Sequence, residues 1–432
     1  MSAGHRTLID DCFVHDGQRM RHDDVLALLA ERLGPVTGTA TVPVIGAQGR
    51  IVAEPVTAPG PVPRSDNAAV DGYAFAHAAY LETSGRLPVC GRVAAGATAP
   101  EPVPAGHCAR IFTGAPMPAN TDTVAMQEDC TILDDGAIAV PGGLKAGANR
   151  RRAGEDFMQG DPVVRAGQTL RAQDLAALAA TGYGAVAVRE TLRVAILSTG
   201  DEIVPPGVDA SAAQVHDANR PMLLALAGQA ATEVTDLGHV GDDADALRTT
   251  LANAASGHDL IITSGGASLG EEDHMLGVLE GLGKRHLWQI AIKPGRPMMF
   301  GQIGDTVVLG LPGNPVAVLV CFLLYARPVI GHLGGATVTP PRAYALPAAF
   351  AIERKKTGRR EFLRGWAETE PETGTLRAHK FPRDGSGLVS GLQAAQGLID
   401  LPEDVGAVAP GDTVRFIPFS EMGLTTGWGS SA

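Results

Sequence analysis

The chain has 432 residues, 45 % of them hydrophobic and 19 % charged, so its length predicts roughly three domains with sizeable cores. The formal net charge of −12 and the aromatic content of 4 % argue against binding of nucleic acid or of an anionic membrane surface. The five cysteines are widely spaced and odd in number, which argues against a zinc knuckle or a disulfide framework. Because the sequence shows no apolar run of the length of a signal peptide or a membrane span, we expect a cytoplasmic protein.

The first part of the chain predicts a small mixed domain that is interrupted by a β-rich module. Residues 22–33 space apolar side chains at helical period behind two aspartates, and a Gly-Pro pair ends the helix. From 76 to 150, short strand-like stretches alternate with glycine and proline turns, which is typical of a small β-rich insertion. A second helix is predicted over 172–182.

From residue 192 onward, strands alternate with helices, which predicts an open, mostly parallel sheet covered on both faces. Beyond Pro340 and Pro341, short strands and turns predict a C-terminal β-barrel or sandwich. The predicted fold class is therefore multidomain α/β. We expect four domains, with the bounds 20–59 together with 151–187, 60–150, 188–335 and 336–420.

The turn after the predicted strand 260–263 has the composition of a phosphate-binding loop. It contains Gly265 and Gly266, then Ser268, and a helix is expected to begin near Glu271. Paired glycines let backbone N–H groups approach an anion closely, and a helix N-terminus favours negative charge. An ordinary strand-to-helix turn explains the same glycines, so both interpretations stay open at this point.

Two segments rich in proline and glycine supply further groups at strand ends. KPGRP places Lys293 and Arg296 on rigid backbone, which favours contact with phosphate or another oxyanion. GLPGNP leads into a helix with Asn314 as N-cap and Pro315 at the first helical position. That arrangement is sufficient as a purely structural one, and it also leaves a helix N-terminus open to an anion.

Acidic residues follow several strands of the predicted sheet. Glu202 in STGDE ends the first strand, where acids beside hydroxyls suit Mg²⁺, although an ordinary Gly-Asp turn accounts for it equally well. Asp242 precedes a helix, and N-capping explains it fully. Glu271 and Asp273 could both simply complement the dipole of the helix expected to begin there. If one of the two is a metal ligand, Asp273 is the better candidate.

The β-rich region and the segment after it carry polar residues between apolar anchors. Asp71 lies in a strong Asp-Gly turn signal, and Thr113 lies in a loop stiffened by prolines, where it would be a positioned hydrogen-bond donor. In RRAGEDF, arginines including Arg151 lie close to acids including Asp156, which is typical of a surface ion-pair cluster. The cationic segment 353–361 predicts a solvated hairpin, not a nucleic-acid patch.

Seven motifs follow one another along the chain: SDNAAVDGYAF, IFTGAPMPANTDTVAMQED, RRAGEDF, LSTGDEIVPPG, TSGGASLGEED, IKPGRP and GLPGNPVA. Taken together and in this order, they closely resemble the molybdopterin molybdenumtransferase family, known as MoeA and as the E domain of gephyrin. The match extends over residues of about 20 to 420.

The resemblance implies an elongated four-domain subunit that forms a homodimer, with a Mog-like α/β domain and a site shared with the β-rich module of the partner subunit. It implies an enzyme, a transferase that inserts molybdate into adenylylated molybdopterin in a Mg²⁺-dependent reaction, releases AMP and forms molybdenum cofactor. It also raises the expectation of contacts with a Mog-like adenylyltransferase and with molybdoenzymes.

Matched position by position, the resemblance implies three sets of residues. The catalytic set is Asp71, Thr113, Glu202, Asp242, Asp273 and Lys293. The set that binds substrate or anion is Arg151, Asp156, Ser264, Gly265, Gly266, Ser268, Arg296, Pro312, Asn314 and Pro315. The magnesium ligands are Asp242 and Asp273.

The sequence departs from the family pattern at a few places. Val70 stands where many relatives have methionine before Asp-Gly-Tyr, which is a minor apolar change. Gln289 follows the tryptophan where many relatives have lysine, and Arg296 replaces a second lysine. One cation is therefore missing from the anion side, although glutamine can still donate a hydrogen bond to an oxyanion.

Two alternatives are kept beside the transferase. A Mog-like molybdopterin adenylyltransferase shares the TSGG turn and the following acids, but the modules at 60–150 and 335–420 argue against a stand-alone domain of that kind. A non-catalytic, gephyrin-like scaffold is the other alternative, and the retained cluster of charged site residues argues against it because such clusters are costly without a ligand.

Overall fold

The computed structural model describes residues 19–97, 100–265 and 274–424. In the first part of the chain the helices are α1 (His22–Arg32), α2 (His77–Glu82) and α3 (Ala172–Ala180), with 3₁₀ turns at Val44–Gly46 and Gln127–Asp129. The strands are β1 (Thr39–Pro43), β2 (Val56–Thr57), β3 (Asn67–Ala68), β4 (Gly72–Phe75), β5 (Arg86–Leu87), β6 (Val89–Val93), β7 (Cys108–Ile111), β8 (Thr123–Met126), β9 (Thr131–Ile132), β10 (Ile138–Ala139), β11 (Arg150–Arg151), β12 (Pro162–Val164) and β13 (Ala185–Arg189).

Strand pairing separates a β-rich body from the segments that flank it in sequence. β1 pairs with β13 and β2 pairs with β12, so the chain that leaves after β2 returns to the same place at β12. Between those points β6, β7, β4 and β8 form one sheet, and β5, β10 and β9 form another. Phe75, Leu87 and Ile138 are fully buried in the core of this body, which therefore packs on its own apolar side chains.

The central part of the chain forms a six-stranded sheet with the order β17-β14-β18-β22-β21-β19. Five of the six strands run in the same direction, and β21 alone is antiparallel to its neighbours β22 and β19, so the expectation of a mostly parallel sheet is confirmed. The elements are β14 (Leu192–Thr199), β15 (Ile203–Val204), β16 (Val215–His216), α4 (Asn219–Ala227), β17 (Thr232–Val240), α5 (Ala244–Gly257), β18 (Leu260–Ser264), α6 (Met275–Leu282), β19 (Lys284–Gln289), β20 (Ile292–Lys293), β21 (Pro297–Ile303) and β22 (Thr306–Leu311).

A long helical segment, Pro315–Gly334, packs against this sheet. It consists of α7 (Pro315–Cys321), a π-helical turn (Phe322–Ala326) and α8 (Arg327–Gly334). Its length and composition are those of a segment able to cross a membrane, but 78 % of its most apolar stretch is buried inside the protein. Tyr325 is fully buried within it, so the segment has the environment of a core helix.

The C-terminal part forms a second large sheet that takes one strand from the central part. Its elements are β23 (Tyr344–Pro347), β24 (Arg360–Thr369), β25 (Leu376–Lys380), α9 (Val389–Gln393), β26 (Gly397–Leu401), β27 (Thr413–Pro418) and a 3₁₀ turn (Phe419–Met422). The order is β20-β24-β26-β27-β23, with β25 paired to β24. Because β20 lies in the KPGRP region, the sheet joins that predicted anion-binding segment directly to the C-terminal part.

The prediction of a solvated hairpin at 353–361 is wrong for three of its nine residues. Lys355, Arg360 and Glu361 are each 5 % exposed, whereas Lys356 is exposed. Lys355 Nζ donates to two backbone carbonyls at 2.8 Å, and Arg360 begins β24. The charged run was mistaken for a solvated surface because sequence alone does not show the internal acceptors that bury cations.

Candidate functional site

The carboxyl ends of β14 and β18 lie side by side at one edge of the central sheet. Ser198 is opposite Ser264, and both side chains are buried. Gly265 follows with a φ of +89°, and a Cβ there would lie 2.7 Å from the carbonyl oxygen of Thr199. Glycine is therefore required at 265 for the close approach of the two strand ends, which both the anion-binding loop and the ordinary turn would need. Gly266, Ser268, Glu271 and Asp273 lie outside the described residues.

Asp201 and Asp242 lie just beyond the ends of β14 and β17, and the carboxylate of each accepts a hydrogen bond from the backbone of the other. The backbone N–H of Asp242 donates to Asp201 Oδ1 at 2.9 Å, and the N–H of Asp201 donates to Asp242 Oδ2 at 3.1 Å. The interpretation of Asp242 as an N-cap is wrong, since the cap of α5 is Asp243, whose Oδ1 accepts from two N–H groups. Asp242 instead braces the turn through Oδ2, and its Oδ1 takes no part in that pair of bonds.

Glu202 lies at the same sheet edge and is exposed. Its carboxylate lies where a Cβ at Gly200 would stand, and Gly200 has a φ of +125°. The turn therefore requires glycine before the acids, and it brings Glu202 to the edge that carries Asp201, Asp242 and Ser264.

A cavity of about 400 Å³ lies between the central sheet and the C-terminal sheet. Its wall contains Lys293, Arg296, Pro312 and Asn314, four residues from the predicted anion-binding and catalytic sets. Pro315 follows directly as the first residue of α7, and Asn314 makes no side-chain cap bond there. The capping interpretation of the Asn314 side chain is therefore wrong, and its polar atoms remain available to the cavity.

The cavity is strongly cationic although the whole chain is acidic. One acidic residue of its wall, Asp384, stands against eight cationic residues. The cationic residues are Arg19, Lys293, Arg296, Lys356, Arg359, Arg364, Lys380 and Arg383. A concentration of positive charge in a concave site raises the local concentration of anions, so the cavity is suited to an anionic ligand.

The cations nearest the predicted motif are held by neighbouring side chains. Lys293 Nζ lies 3.5 Å from Glu361 Oε2, and Arg359 Nη2 lies 2.9 Å from Glu361 Oε1. Arg296 Nη2 donates to Gln289 Oε1 at 3.4 Å. Gln289, the departure from the family pattern, thus orients a guanidinium through its oxygen, and its amide hydrogens remain available as donors.

Sequence reasoning missed the wall of the cavity that the C-terminal part supplies. Arg364 on β24 is 5 % exposed, and its guanidinium donates to the carbonyl oxygens of Leu388, Arg383 and Gly385 at 2.8–3.1 Å. Burial lowers the pKa of Arg364. The signal that was available is the turn FPRDGSG after β25, where cations flank glycines, as they do in KPGRP.

Asp71 and Thr113 form a compact pair in the β-rich body. The backbone N–H and the hydroxyl of Thr113 both donate to Asp71 Oδ1, at 2.8 and 2.7 Å. These bonds hold the pKa of Asp71 below its ordinary value, the N–H contributing most, the hydroxyl next and the charge of Arg110 least. Asp71 is therefore a carboxylate at neutral pH, with its second oxygen unused by Thr113.

Arg151 and Asp156 are exposed in the segment that runs past this body. Arg151 lies opposite Asn67 of β3, and the N–H of Asp156 donates to the carbonyl of Val62 at 3.0 Å. The surface ion-pair interpretation applies to a different pair, since Arg150 Nη1 lies 3.5 Å from Asp66 Oδ2. Arg151 therefore lies beside the segment that leads to Asp71.

The predicted site residues thus fall into three groups in one subunit. The sheet edge, the cationic cavity and the β-rich body each assemble their own members, and among the described residues no hydrogen bond or ion pair joins the Asp71–Thr113 pair to the other two groups. Within those same residues there is no cluster of three or more His, Cys, Asp or Glu arranged to hold a metal. Mg²⁺ in proteins uses one or two carboxylates and several waters, and the Asp201–Asp242 pair meets that requirement in number of carboxylates only.

Three family models match successive parts of the chain: the MoeA N-terminal region (domain I and II) over 20–182, the probable molybdopterin binding domain over 195–332, and the MoeA C-terminal region (domain IV) over 346–419. A molybdopterin molybdenumtransferase of Haemophilus influenzae is 37 % identical over 402 residues, covering 93 % of this chain and 98 % of the relative. The chain belongs to the MoeA family. A molybdopterin molybdenumtransferase 2 of Mycobacterium tuberculosis is 32 % identical and covers 91 % and 97 % of the two chains.

Solved structures agree with this membership of the MoeA family. Two crystal structures of molybdopterin biosynthesis MoeA proteins from Pyrococcus horikoshii superpose with TM-scores of 0.75 and 0.78, at 30 % and 27 % identity. They cover 95 % and 93 % of this chain and all of the neighbours. The chain is thus a transferase of molybdenum cofactor biosynthesis with the multidomain α/β architecture of the MoeA family.

Proposed function

We propose that this chain is a cytoplasmic molybdopterin molybdenumtransferase that takes adenylylated molybdopterin and molybdate, releases AMP and forms molybdenum cofactor in the presence of Mg²⁺. The observation that carries the proposal is the cationic cavity, which an acidic chain builds beside the strand ends of a probable molybdopterin-binding domain. Both proposed substrates are anions, and each needs a fixed set of donors in such a chain.

Molybdate is assigned to the cationic cavity. A tetrahedral dianion is bound best by charge-assisted hydrogen bonds from fixed cations and amides, and carboxylates repel it. Lys293 and Arg296 lie in the wall of the cavity and are held by Glu361 and Gln289, so they supply donors without a large loss of side-chain freedom. Arg364, whose guanidinium is fixed by carbonyl oxygens, adds positive charge behind them. The volume of about 400 Å³ is larger than one oxyanion requires, which leaves room for the dithiolene end of the pterin.

The phosphoanhydride of the adenylylated substrate is assigned to the sheet edge. Ser264 and Gly265 present a hydroxyl and closely packed backbone there, which suits phosphate oxygens. Asp242, with Asp201 beside it and together with Asp273, would hold Mg²⁺. When bound, Mg²⁺ would neutralise negative charge on the phosphate oxygens while the anhydride bond to AMP breaks.

Asp71, Thr113, Arg151 and Asp156 are proposed to act in the site of a partner subunit in a homodimer. Within one subunit their side chains make no hydrogen bond or ion pair with the sheet edge in the part of the chain that is described, so a dimer offers a way to bring them there. The ionised Asp71 would orient water or a dithiolene thiol, as Glu202 would from the sheet edge.

We further propose that the chain has the four domains predicted from the sequence, with the bounds given there.

The alternative of a Mog-like adenylyltransferase is less well supported. The chemistry of an adenylyltransferase needs only the α/β domain. The cationic cavity also depends on the C-terminal sheet, whose strand β24 pairs with β20, and that activity gives the cavity no role.

The alternative of a non-catalytic scaffold predicts that the purified protein releases no AMP.

The test is a single-turnover assay with purified protein, adenylylated molybdopterin, molybdate and Mg²⁺, with AMP measured by chromatography. We expect AMP release that requires molybdate, and we expect Asp273→Ala and Asp242→Ala to abolish it because both would remove ligands of the ion that neutralises the phosphate. Wild-type protein that releases no AMP, or release that persists in both variants, would sink the assignment. Asp245→Ala, at an exposed acid in the first turn of α5, is the matched control.

A further inference from the structure

Asn219, the first residue of α4, connects two loops that the proposed function assigns to different anions. The residue is buried, with 6 % of its surface exposed. Nδ2 donates to Ser264 Oγ at 2.8 Å and to the carbonyl oxygen of Gly313 at 2.6 Å. A side-chain amide has two N–H hydrogens, so both are used in tying the end of β18 to the turn after β22.

The backbone of Asn219 is itself held from two directions. Asp217 Oδ1 accepts from the N–H of Asn219 at 3.1 Å and from that of Arg220 at 3.0 Å, and Asp217 is 4 % exposed. The guanidinium of Arg220 in turn reaches Asp236 on β17 at 2.9 Å. The amide is therefore presented from a fixed position, as a group that sets the geometry of a site requires.

Polar atoms beside this tie lack partners within the described residues. They are Asn219 Oδ1 and Ser198 Oγ, and Ser198 is 2 % exposed and opposite Ser264. Buried polar groups are nearly always hydrogen-bonded in folded proteins, so two exceptions on residues that both neighbour Ser264 are typical of a place that a ligand or an ordered water completes.

We propose that Asn219 is a positioning residue that fixes the distance between the Ser264–Gly265 turn and the Pro312–Asn314 turn. The inference rests on the proposed function, in which the first turn binds the phosphate side of the substrate and the second lines the molybdate cavity. The transfer requires the bound phosphate side of the substrate and the bound molybdate to lie at one fixed distance from each other. A displacement of about 1 Å between bound reactants costs roughly 100-fold in rate, while each anion on its own keeps its contacts.

This role predicts a split between binding and turnover that a merely structural residue would not give. In Asn219→Ala the kcat for AMP release falls roughly 10- to 100-fold. The dissociation constants of AMP alone and of molybdate alone each change less than about threefold, because neither turn loses its own donors. A residue needed only for packing would lower the melting temperature and weaken both binding steps together.

The experiment measures kcat, KM, binding of AMP and of molybdate by calorimetry, and melting temperature for the full chain. Asn253→Ala, at an exposed asparagine on α5, is the matched control and keeps wild-type values. If Asn219→Ala is too unstable to assay, Ser264→Ala removes the acceptor end of the same tie, so kcat falls in the same range and molybdate binding stays unchanged. Binding of AMP also weakens in that variant, because the phosphate side loses the Ser264 hydroxyl. The Asn219→Ala/Ser264→Ala double variant is no slower than the slower of the two single variants, because both substitutions remove the same hydrogen bond.

An unchanged kcat in Asn219→Ala and Ser264→Ala overturns the inference while leaving the transferase in place. Loss of both binding steps in parallel with kcat also overturns it. Absence of AMP release from the wild-type protein is a failure of the proposed function itself, and the positioning role fails with it.

Discussion

Lys293 and Glu361 lie opposite each other on β20 and β24, and their charged groups are 3.5 Å apart. The Lys293 side chain is 42 % exposed, whereas that of Glu361 is 7 % exposed and also contacts Arg359. The carboxylate therefore holds two cations at the wall of the cavity while it is itself screened from an incoming anion. The central and C-terminal sheets are joined at the point where the proposed molybdate site needs a fixed charge.

Lys293→Met is expected to raise the KM for molybdate about tenfold, equivalent to roughly 1.4 kcal/mol, because it removes one charge-assisted bond and leaves the others. The measurement is the dependence of AMP release on molybdate concentration. Lys145→Met, at an exposed lysine of the β-rich body, serves as control for loss of charge in general. An unchanged KM in Lys293→Met would remove this lysine from the molybdate site.

The sequence predicted the residues of the cavity wall that come from the turns of the central part of the chain. It did not predict the residues of the wall that the C-terminal part supplies. Lys293, Arg296 and Asn314 stand in motifs of glycine and proline that indicate strand ends. Arg364 and Lys380 come from β24 and β25, far along the chain, and their sequence neighbours look like ordinary β-strand residues. Only the pairing of β20 with β24 brings them to the cavity, and local periodicity carries no signal for such a long-range contact.

Thr113→Ala is expected to raise the pKa of Asp71 part of the way toward its ordinary value of about 3.9, because the hydroxyl bond is lost and the bond from the backbone N–H remains. A carboxyl with a lowered pKa is charged above that pKa, so the acid limb of the pH–activity profile moves to higher pH in the variant. The measurement is a carboxyl titration by NMR. Thr121→Ala, which loses only a bond to the carbonyl of Pro118, should leave the Asp71 titration unchanged.

The sequence predicts the fold well where a local pattern of apolar residues decides it. It predicts less well which of two neighbouring residues takes a given role. The helix predicted over 22–33 is α1, and the mostly parallel sheet is present. Asp242 was assigned to the cap of α5, but Asp243 takes that role. Two adjacent aspartates are equally good caps in sequence, and the reciprocal bonds between Asp201 and Asp242 decide between them only once β14 and β17 are paired.

Arg360→Met is expected to destabilise the folded chain by about 3–5 kcal/mol, because it leaves a buried carboxylate without its main partner. Arg360 makes two bonds to Asp400, at 2.7 and 2.8 Å, and Asp400 is 1 % exposed. Arg415 lies 3.4 Å from the same carboxylate but its side chain is 52 % exposed, so Arg415→Met should cost about 1 kcal/mol or less. Denaturant unfolding of the two variants compares them directly, and equal losses would contradict the assigned roles.

His22 predicts a specific pH dependence of stability. Burial, followed by the charge of Arg360, lowers its pKa to about 4, and its Nδ1 lies 2.8 Å from the Tyr325 hydroxyl. The unfolded chain binds a proton at this site below about 6.5 while the folded chain does not, so stability is complete above that pH and is lost as the pH falls toward 4. The loss attributable to this site is on the order of 3 kcal/mol.

The measurement is the free energy of unfolding of wild type and of His22→Phe from pH 7.5 to 4. Phenylalanine keeps an apolar ring beside Phe362, whose centroid lies 5.2 Å from that of His22, and it has no proton to bind. The variant loses the bond to Tyr325, which lowers its whole curve, but the extra slope between pH 6.5 and 4 should disappear. Parallel curves over that interval would mean that His22 is charged in the fold, and that the carboxylates around Arg360 stabilise the imidazolium more than burial opposes it.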